Sequence, residues 1–227
     1  MRLFCLDTET TGIDVFEDRI VTFFGGILEE DGTFTNVLDL MIDPGVPIPD
    51  GAAEVHGVTT EIAQAEGVPA EQGIKQIALY IAHIGRDLPM VIMNANYDLS
   101  ILEAEFERHG LGGFSSGWTQ LVFDPRVMDL HHDKWRKGKR KLVNLAATYG
   151  VLFEGEKAHN AEYDCYLAGN VTKAIIAKYG TPTNDEQAEW YRDWAASFEK
   201  YLQKNDPTAS VVKDWPLRLK EKETTND

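Results

Sequence analysis

The residues of this chain that could do chemistry begin with two carboxylates separated by a single residue. Asp7 and Glu9 follow the apolar residues 3–6, and residues i and i+2 of a β-strand share one face, about 7 Å apart. Two like charges at a buried strand end raise each other's pKa unless a cation lies between them. Carboxylate oxygens suit Mg²⁺ or Mn²⁺, so the pair predicts a divalent-metal site. The alternative is an exposed acidic loop.

A further carboxylate, Asp98, comes at the end of the segment Asn94-Ala95-Asn96-Tyr97-Asp98, where a second predicted strand gives way to a helix. The first turn of a helix favours an anion because the backbone dipoles leave its N-terminus partly positive. Taken alone, this motif is better explained as helix capping by Asn96, with Asp98 complementing the dipole.

The last motif is His159-Asn160-Ala161-Glu162-Tyr163-Asp164. A spacing of five would place two residues about 140° apart on one helix. If both face one site, His159 must lie in the loop entering the helix, with Asn160 as N-cap and Asp164 just inside. Such a histidine can reach a water, while the carboxylate is held firmly enough to bind a metal. A lone histidine before a helix is usually structural or exposed, so this motif also needs the others.

In combination the motifs resemble the DEDDh exonuclease family, the DnaQ-like group within the ribonuclease H-like folds. The order is Asp-x-Glu, then Asp, then His-x₄-Asp, and Asp-Thr-Glu-Thr-Thr-Gly at residues 7–12 is similar to the family's first motif. Val-His-Gly-Val-Thr at residues 55–59 and the segment 142–151 are also similar to family segments. The resemblance covers about residues 1–178. Met93 departs from it, since many relatives have a histidine there, and the histidine spacing excludes the tyrosine-bearing sister group.

The resemblance implies a 3′→5′ exonuclease that releases 5′-mononucleotides by two-metal-ion hydrolysis. Asp7 would bridge two divalent ions, Mg²⁺ or Mn²⁺, while Glu9 and Asp164 would hold the first and Asp98 would support the second. His159 would be the general base. The terminal nucleotide and its 3′-hydroxyl would be held by Thr10, Val55, His56 and Tyr97.

The nucleic acid partner is expected to be the 3′ end of single-stranded DNA. The first motif and the His-Gly segment look most like the proofreading subunit of bacterial replicative DNA polymerase, which makes a DNA polymerase a further partner. The alternative of an exoribonuclease that trims RNA 3′ ends stays open, because no residue in the sequence is identified as one that distinguishes a sugar with a 2′-hydroxyl from one without it. A non-catalytic binding module on the same fold is disfavoured because all five chemical residues are present. An aspartyl phosphatase would need Asp-x-Asp, where this chain has Glu9.

The elements that must position these residues follow from the hydrophobic pattern. Strands are predicted over residues 2–7, 19–29, 33–42, 90–93 and 121–123, the second and third forming a hairpin. Helices are predicted over residues 69–87, 97–109, 142–149, 161–179 and 185–204. This order predicts an α/β fold, a ribonuclease H-like mixed five-stranded sheet flanked by helices. Residues 1–180 would form the exonuclease domain, and residues 181–227 a helical appendage with a partly disordered tail.

Charge and cysteine content narrow the class of protein. The 227 residues carry a net charge of −15, which argues against a protein that coats nucleic acid non-specifically. Yet residues 134–141 hold six cations and no acid, which fits an enzyme that contacts a few phosphates; the alternative is a solvated loop. Two cysteines without metal-like spacing predict reduced thiols in a cytoplasmic protein. No 18-residue apolar run offers a membrane span.

Overall fold

The structure, a computed structural model, describes residues 1–114, 120–153 and 161–218. Its centre is a six-stranded mixed sheet. The strands are β1 (Leu3–Thr10), β2 (Ile20–Leu28), β3 (Phe34–Asp43), β4 (Val68–Pro69), β5 (Met90–Val91) and β6 (Val122–Phe123). Their spatial order is β4-β3-β2-β1-β5-β6. β1, β2 and β3 form an antiparallel meander, and β5 and β6 extend the sheet parallel to β1.

Helices cover both faces of this sheet. Within the described ranges they are α1 (Asp50–His56), α2 (Thr60–Glu66), α3 (Ala70–Tyr80), α4 (Ala95–Arg108), α5 (Pro125–His132), α6 (Leu142–Tyr149), α7 (Ala161–Tyr179) and α8 (Asn184–Leu202). The predictions for α6 and α7 are confirmed to the residue. The single helix predicted over 69–87 is instead α3 followed by a π-helical turn, Ile81–Gly85.

The predicted fold class, a mixed sheet flanked by helices, is confirmed, but the sheet has six strands rather than five. The additional strand, β4, has only two residues, of which one is proline, and pairs in parallel with the end of β3. Proline is tolerated on such an edge strand, and two residues show no alternation to detect. The short helices α1, α2 and α5 were also not predicted. For α5 a usable signal existed, because Asp124 followed by Pro125 is a helix-start pattern.

β1 lies at the centre of the core and contributes to both of its halves. Phe4 and Leu6 join the hydrophobic cluster on the face covered by α3, α4 and α8, whereas Leu3 and Cys5 join the cluster under α6 and α7. This alternation follows from the two-residue period of a strand. Both cysteines are buried and free, as predicted.

The C-terminal segment packs onto the same core. Helix α8 begins with a capping box between Thr183 and Glu186, and Tyr191, Ala195 and Trp215 are buried in the first cluster. The division of the chain at residue 180 stays a prediction. Of the tail for which disorder is predicted, residues 219–227 lie outside the described residues. No helix in the described ranges is long and apolar enough to cross a membrane.

Helix α7 approaches the sheet closely at Gly169. A Cβ atom added there would lie 2.3 Å from Cδ2 of Leu28 and 3.1 Å from Sγ of Cys5. Both neighbours are fully buried, so neither side chain can move aside into solvent. Glycine at this position therefore determines how near α7 lies to β1, and with it the position of Asp164 five residues earlier on the helix.

We predict that Gly169→Ala lowers the free energy of unfolding by about 1–3 kcal/mol, the usual cost of overpacking a core. Gly51→Ala is the matched control, because Gly51 is exposed in α1 with nothing within 4 Å of the added Cβ; its stability should be unchanged or slightly higher. Denaturant midpoints measure both. A Gly169→Ala protein as stable as the wild type would contradict the close packing of α7.

Candidate functional site

Four carboxylates from three elements lie close together beside β1. Asp7 and Glu9 come from β1, Asp98 from the first turn of α4, and Asp164 from the first turn of α7. Burial raises the pKa of Asp7 well above its ordinary value, and repulsion from Asp98, Glu9 and Asp164 raises it further. The structure thus brings together all four carboxylates that the motifs single out.

Asp98 is held against β1 by two hydrogen bonds from one residue. The backbone N of Thr8 and its Oγ1 both donate to Oδ1 of Asp98, at 3.1 and 2.7 Å. Burial raises the pKa of Asp98 to about 7, although these two hydrogen bonds favour the charged form. Sequence reasoning missed Thr8. It lies between Asp7 and Glu9, but its side chain projects to the opposite face of the strand.

A second residue that sequence reasoning missed, Asp124, fixes the start of α4. Its carboxylate accepts hydrogen bonds from the backbone N of Asn94 at 3.2 Å, of Ala95 at 2.9 Å and of Arg126 at 2.9 Å. Nε1 of Trp215 donates to it at 3.4 Å. Asn94 has a left-handed φ of 68°, a conformation in which asparagine is enriched. Asp124 therefore ties the beginning of α4, and so Asp98, to the beginning of α5.

Two of the predicted nucleotide-binding residues meet at the end of β1. The hydroxyls of Thr10 and Tyr97 contact each other. Both donate to the backbone carbonyl of Gly12, Thr10 at 2.8 Å and Tyr97 at 2.5 Å. Burial raises the pKa of Tyr97 to about 12, so its hydroxyl stays protonated at neutral pH. The pair can present hydroxyl groups to a ligand that also carries hydroxyls.

The other two predicted nucleotide-binding residues lie at the end of α1. Nδ1 of His56 accepts a hydrogen bond from the backbone N of Val58 at 3.2 Å, while its buried Nε2 makes none among the described residues. Burial lowers the pKa of His56, and the nearby backbone of Thr10 opposes that shift. His56 is thus close to the end of β1. Val55 precedes it with an exposed side chain. The structure brings Thr10, His56 and Tyr97 together and leaves Val55 beside them as an open apolar surface.

His159, the predicted general base, and Asn160, its predicted helix cap, lie outside the described residues. Their roles rest on the sequence motif.

The carboxylates form a donor set that suits a hard divalent cation. All the donors are oxygens. Burial raises the pKa of Asp7 and of Asp98, and repulsion from neighbouring carboxylates raises both further, so a cation beside them would favour the charged forms. In the part of the chain that the structure describes, no three His, Cys, Asp or Glu side chains are grouped tightly enough to hold an ion by themselves. Mg²⁺ commonly uses one or two carboxylates and takes its remaining ligands from water and substrate phosphate. The residues fit an ion bound in that way.

The basic stretch at residues 134–141 is not uniformly available to phosphate, contrary to what its composition suggests. Nη2 of Arg136 and Nε of Arg140 lie 2.6 and 2.7 Å from Oδ2 of the buried Asp129. The hydroxyl of Tyr149 donates to Oδ1 of Asp129 at 3.0 Å. The two arginines therefore anchor the stretch. The side chains left exposed on it are Lys134, Trp135, Lys137, Lys139 and Lys141.

Comparison with known proteins identifies related chains. Residues 4–172 match the family described as exonuclease, RNase_T. The PolC-type DNA polymerase III of Lacticaseibacillus paracasei is 25% identical over 179 residues, which cover 78% of this chain and 12% of the polymerase. An uncharacterized exonuclease of Escherichia phage 186, CP81, is 28% identical over 185 residues, covering 75% of this chain and 86% of the phage protein. The chain thus spans 12% of the length of the polymerase relative.

Solved structures share the fold. E. coli Exonuclease I, determined in complex with a dA16 oligonucleotide, superimposes with a TM-score of 0.65 at 17% identity, over 84% of this chain and 43% of that one. Exonuclease X in complex with 5′-overhanging duplex DNA gives a TM-score of 0.57 at 21% identity, over 83% and 98% of the two chains. At these identities the likeness establishes the ribonuclease H-like fold alone.

The raised carboxyl pKa values predict how stability responds to pH and to divalent ions. A carboxyl whose folded pKa exceeds its unfolded value stabilises the fold at low pH, and this contribution is lost as pH rises through the folded pKa, here about 7 for Asp98. In chelator, the melting temperature of the wild type should therefore fall as the pH rises from about 4, the ordinary pKa of an unfolded aspartate, to about 7, relative to Asp98→Asn, which removes this charge. Added Mg²⁺ or Mn²⁺ should raise the wild-type melting temperature more at the higher pH, because protons compete with the ion.

Asp98→Asn, which keeps an oxygen for the Thr8 hydrogen bonds, should respond less to either ion. Equal stabilisation of both proteins by the ions, at both pH values, would contradict the metal assignment.

Proposed function

The chain belongs to the exonuclease family, and we propose that it removes 5′-mononucleotides from the 3′ end of single-stranded DNA. Membership makes it a nuclease, which hydrolyses phosphodiester bonds. The observation that carries the finer proposal is the convergence of carboxylates from β1, α4 and α7, with Asp7 repelled by the other three. Repulsion between these carboxylates lowers the stability of the fold. In a member of a nuclease family, binding of catalytic metal ions explains why such a cluster is kept.

The four carboxylates, Asp7, Glu9, Asp98 and Asp164, would hold two divalent cations, Mg²⁺ or Mn²⁺, which would stabilise charge on the attacking and leaving oxygens. The Asp7 carboxylate is repelled by all three of the others, and we therefore assign it to both cations. Thr8 and Asp124 act indirectly, because they hold Asp98 and the helix that carries it.

The proton of the attacking water is accepted by His159 in this proposal. An imidazole with an ordinary pKa is largely unprotonated at neutral pH and can act as a base. At the other end of the terminal nucleotide, the hydroxyls of Thr10 and Tyr97 hold the 3′-hydroxyl, and His56 and Val55 contact the sugar and base. A site that grips a free 3′-hydroxyl accepts strand ends rather than internal bonds.

DNA is the substrate we propose, by analogy with the related proteins. The PolC-type relatives are DNA polymerases, and E. coli Exonuclease I is known in an ssDNA complex. For the same reason we propose a DNA polymerase as a partner, whether on the same chain or a separate one.

The DNA substrate is tested by an assay of 5′-labelled single-stranded DNA and RNA with Mg²⁺ or Mn²⁺. DNA should shorten from its 3′ end in single-nucleotide steps, and chelator should stop the reaction; degradation of RNA alone would favour the exoribonuclease alternative.

Removing a metal-binding carboxylate should abolish hydrolysis while leaving the fold intact. We expect Asp7→Asn and Asp164→Asn each to reduce the rate by more than about 100-fold, the upper range for loss of a group that only supports a metal ligand. Asp39→Asn, an exposed aspartate on β3, is the matched control and should retain full activity. Rates on 5′-labelled DNA, with circular dichroism to verify folding, measure the effect. Substantial activity in either site variant would contradict the two-metal assignment.

Loss of the proposed base should alter the pH profile as well as the rate. We expect His159→Ala to slow hydrolysis by about 10²–10⁴-fold, the usual contribution of general-base catalysis, with substrate binding retained. At saturating metal, the wild-type rate should fall on the acid side as the imidazole of His159 becomes protonated and can no longer act as a base. His83→Ala, which removes an exposed histidine of the π-helical turn, is the control. An acid limb that persists unchanged in His159→Ala would identify another base.

A further inference from the structure

A groove of about 290 Å³ opens between α5 and α8, apart from the carboxylate site. Lys134 and Trp135 line one wall, and Trp194, Phe198 and Tyr201 line the other. We call this the aromatic groove. The function proposed above makes no use of it.

The α8 wall is a series of stacked rings. The rings of Trp194 and Phe198 are 5.3 Å apart and inclined by 13°, and those of Phe198 and Tyr201 are 6.3 Å apart and inclined by 14°. The guanidinium of Arg126 lies 4.6 Å from the Trp194 ring centre. At the outer end Tyr201 is 59% exposed. Rings so open to water contribute little to the core, so the outer part of the series offers a surface for stacking.

The opposite wall is a basic loop whose backbone is fixed in place. Arg136 and Arg140 bind the buried Asp129, which anchors the loop from inside. Because these two cations are used internally, the loop presents its lysines and Trp135 outward. Trp135 is 86% exposed, with Nζ of Lys134 5.5 Å from its ring centre. A large ring displayed in this way on an anchored loop is suited to contact a ligand.

We propose that the aromatic groove binds single-stranded DNA a few nucleotides upstream of the 3′ end. The lysines of the basic loop bind phosphates, and the rings of Trp135 and Tyr201 stack on bases. Proteins that bind single strands without sequence preference combine these two features, a positive track and aromatic platforms. This inference rests on the proposed function, because it places the upstream part of the same substrate.

Charge complementarity identifies the occupant. The chain has a net charge of −15, and residues 134–141 contain no acid. Arg136 and Arg140 are paired with Asp129, so the exposed positive charge of the loop comes from its four lysines, and these attract a polyanion. Asp193 on α8 also lines the groove and repels phosphate. The backbone of the strand therefore runs along the basic loop, and its bases face α8.

One helix, α5, connects the groove to the residue that holds the start of α4. Helix α5 begins beside Asp124, which also holds the start of α4. Leu130, which lines the groove, is six residues further along, or about 9 Å at 1.5 Å per residue. The proposal has the strand extend from the carboxylate site along α5 to the groove.

The test separates binding from hydrolysis by using chelator. The anisotropy of a 5′-fluorescein oligodeoxythymidylate of about 16 nucleotides reports binding to the full chain without cleavage. Lys134→Ala/Lys137→Ala should lower affinity and reduce the slope of log K against log salt by about 1.4, or 0.7 for each lost phosphate contact. The matched control, Lys75→Ala/Arg86→Ala, removes two exposed charges from α3 and the residue after the π-helical turn, and should bind as the wild type does.

Base stacking is tested independently of charge. Trp135→Ala should weaken binding by about 5- to 100-fold, the range for one base–aromatic stack, whereas Trp135→Phe should retain most of the affinity. On an abasic oligonucleotide of equal length, Trp135→Ala should bind as the wild type does. A Trp135→Ala protein that binds both oligonucleotides with wild-type affinity would overturn the stacking role.

Hydrolysis of a dinucleotide with added Mg²⁺ or Mn²⁺ distinguishes failure of this inference from failure of the proposed function. A dinucleotide does not reach the groove, so all groove variants should cleave it at the wild-type rate, while their KM for the long oligonucleotide rises. If the wild type cleaves nothing yet shows these binding differences in chelator, the groove assignment stands and the proposed function fails. If cleavage is normal and every variant binds with wild-type affinity and salt slope, the groove assignment is overturned.

Discussion

Like charges held together in a poorly hydrated part of a protein repel one another, and Asp7 experiences this repulsion from three neighbouring carboxylates. The local sequence of β1 places only Asp7 and Glu9 on one face, and it does not bring Asp98 or Asp164 to them. Their convergence is imposed by the sheet and by the two helices that begin beside it. The close approach of α7 at Gly169 determines the position of Asp164, and the anchored start of α4 determines the position of Asp98. The hydrophobic clusters on both faces of β1 supply the free energy that opposes the repulsion.

The polar contacts around Asp98 show how such a site is kept rigid. Thr8 donates two hydrogen bonds to one oxygen of the Asp98 carboxylate. Asp124, itself buried, accepts from the first backbone N–H groups of α4 and also begins α5. Asp124 therefore supports both Asp98, through the start of α4, and the basic loop, through the start of α5. Side chains supported in this way by helices and strands are positioned more precisely than side chains on loops.

Much of this arrangement could be predicted from local spacing, and what could not has a common cause. The Asp7 and Glu9 pair, the hairpin and the bounds of α6 and α7 depend on patterns a few residues long, which the sequence displays directly. The partner of Thr8 is 90 positions away, and no local pattern identifies it. The basic loop illustrates the same point, because its arginines look equivalent to its lysines until Asp129, outside the stretch, is seen to bind them. Strand β4 is too short to carry any periodicity.

The C-terminal segment contacts the start of α4, and these contacts limit how far the nuclease part of the chain can be separated from it. Tyr191 receives a hydrogen bond from Nδ2 of Asn96 at 2.6 Å, and the indole of Trp215 contacts Asp124. Arg218 donates its backbone N–H to Oγ of Ser100 at 2.7 Å. These contacts stabilise the start of α4 from outside residues 1–180. Grafting residues 1–180 alone onto another protein would therefore transfer the four carboxylates without the support that holds α4, and with it Asp98, in position.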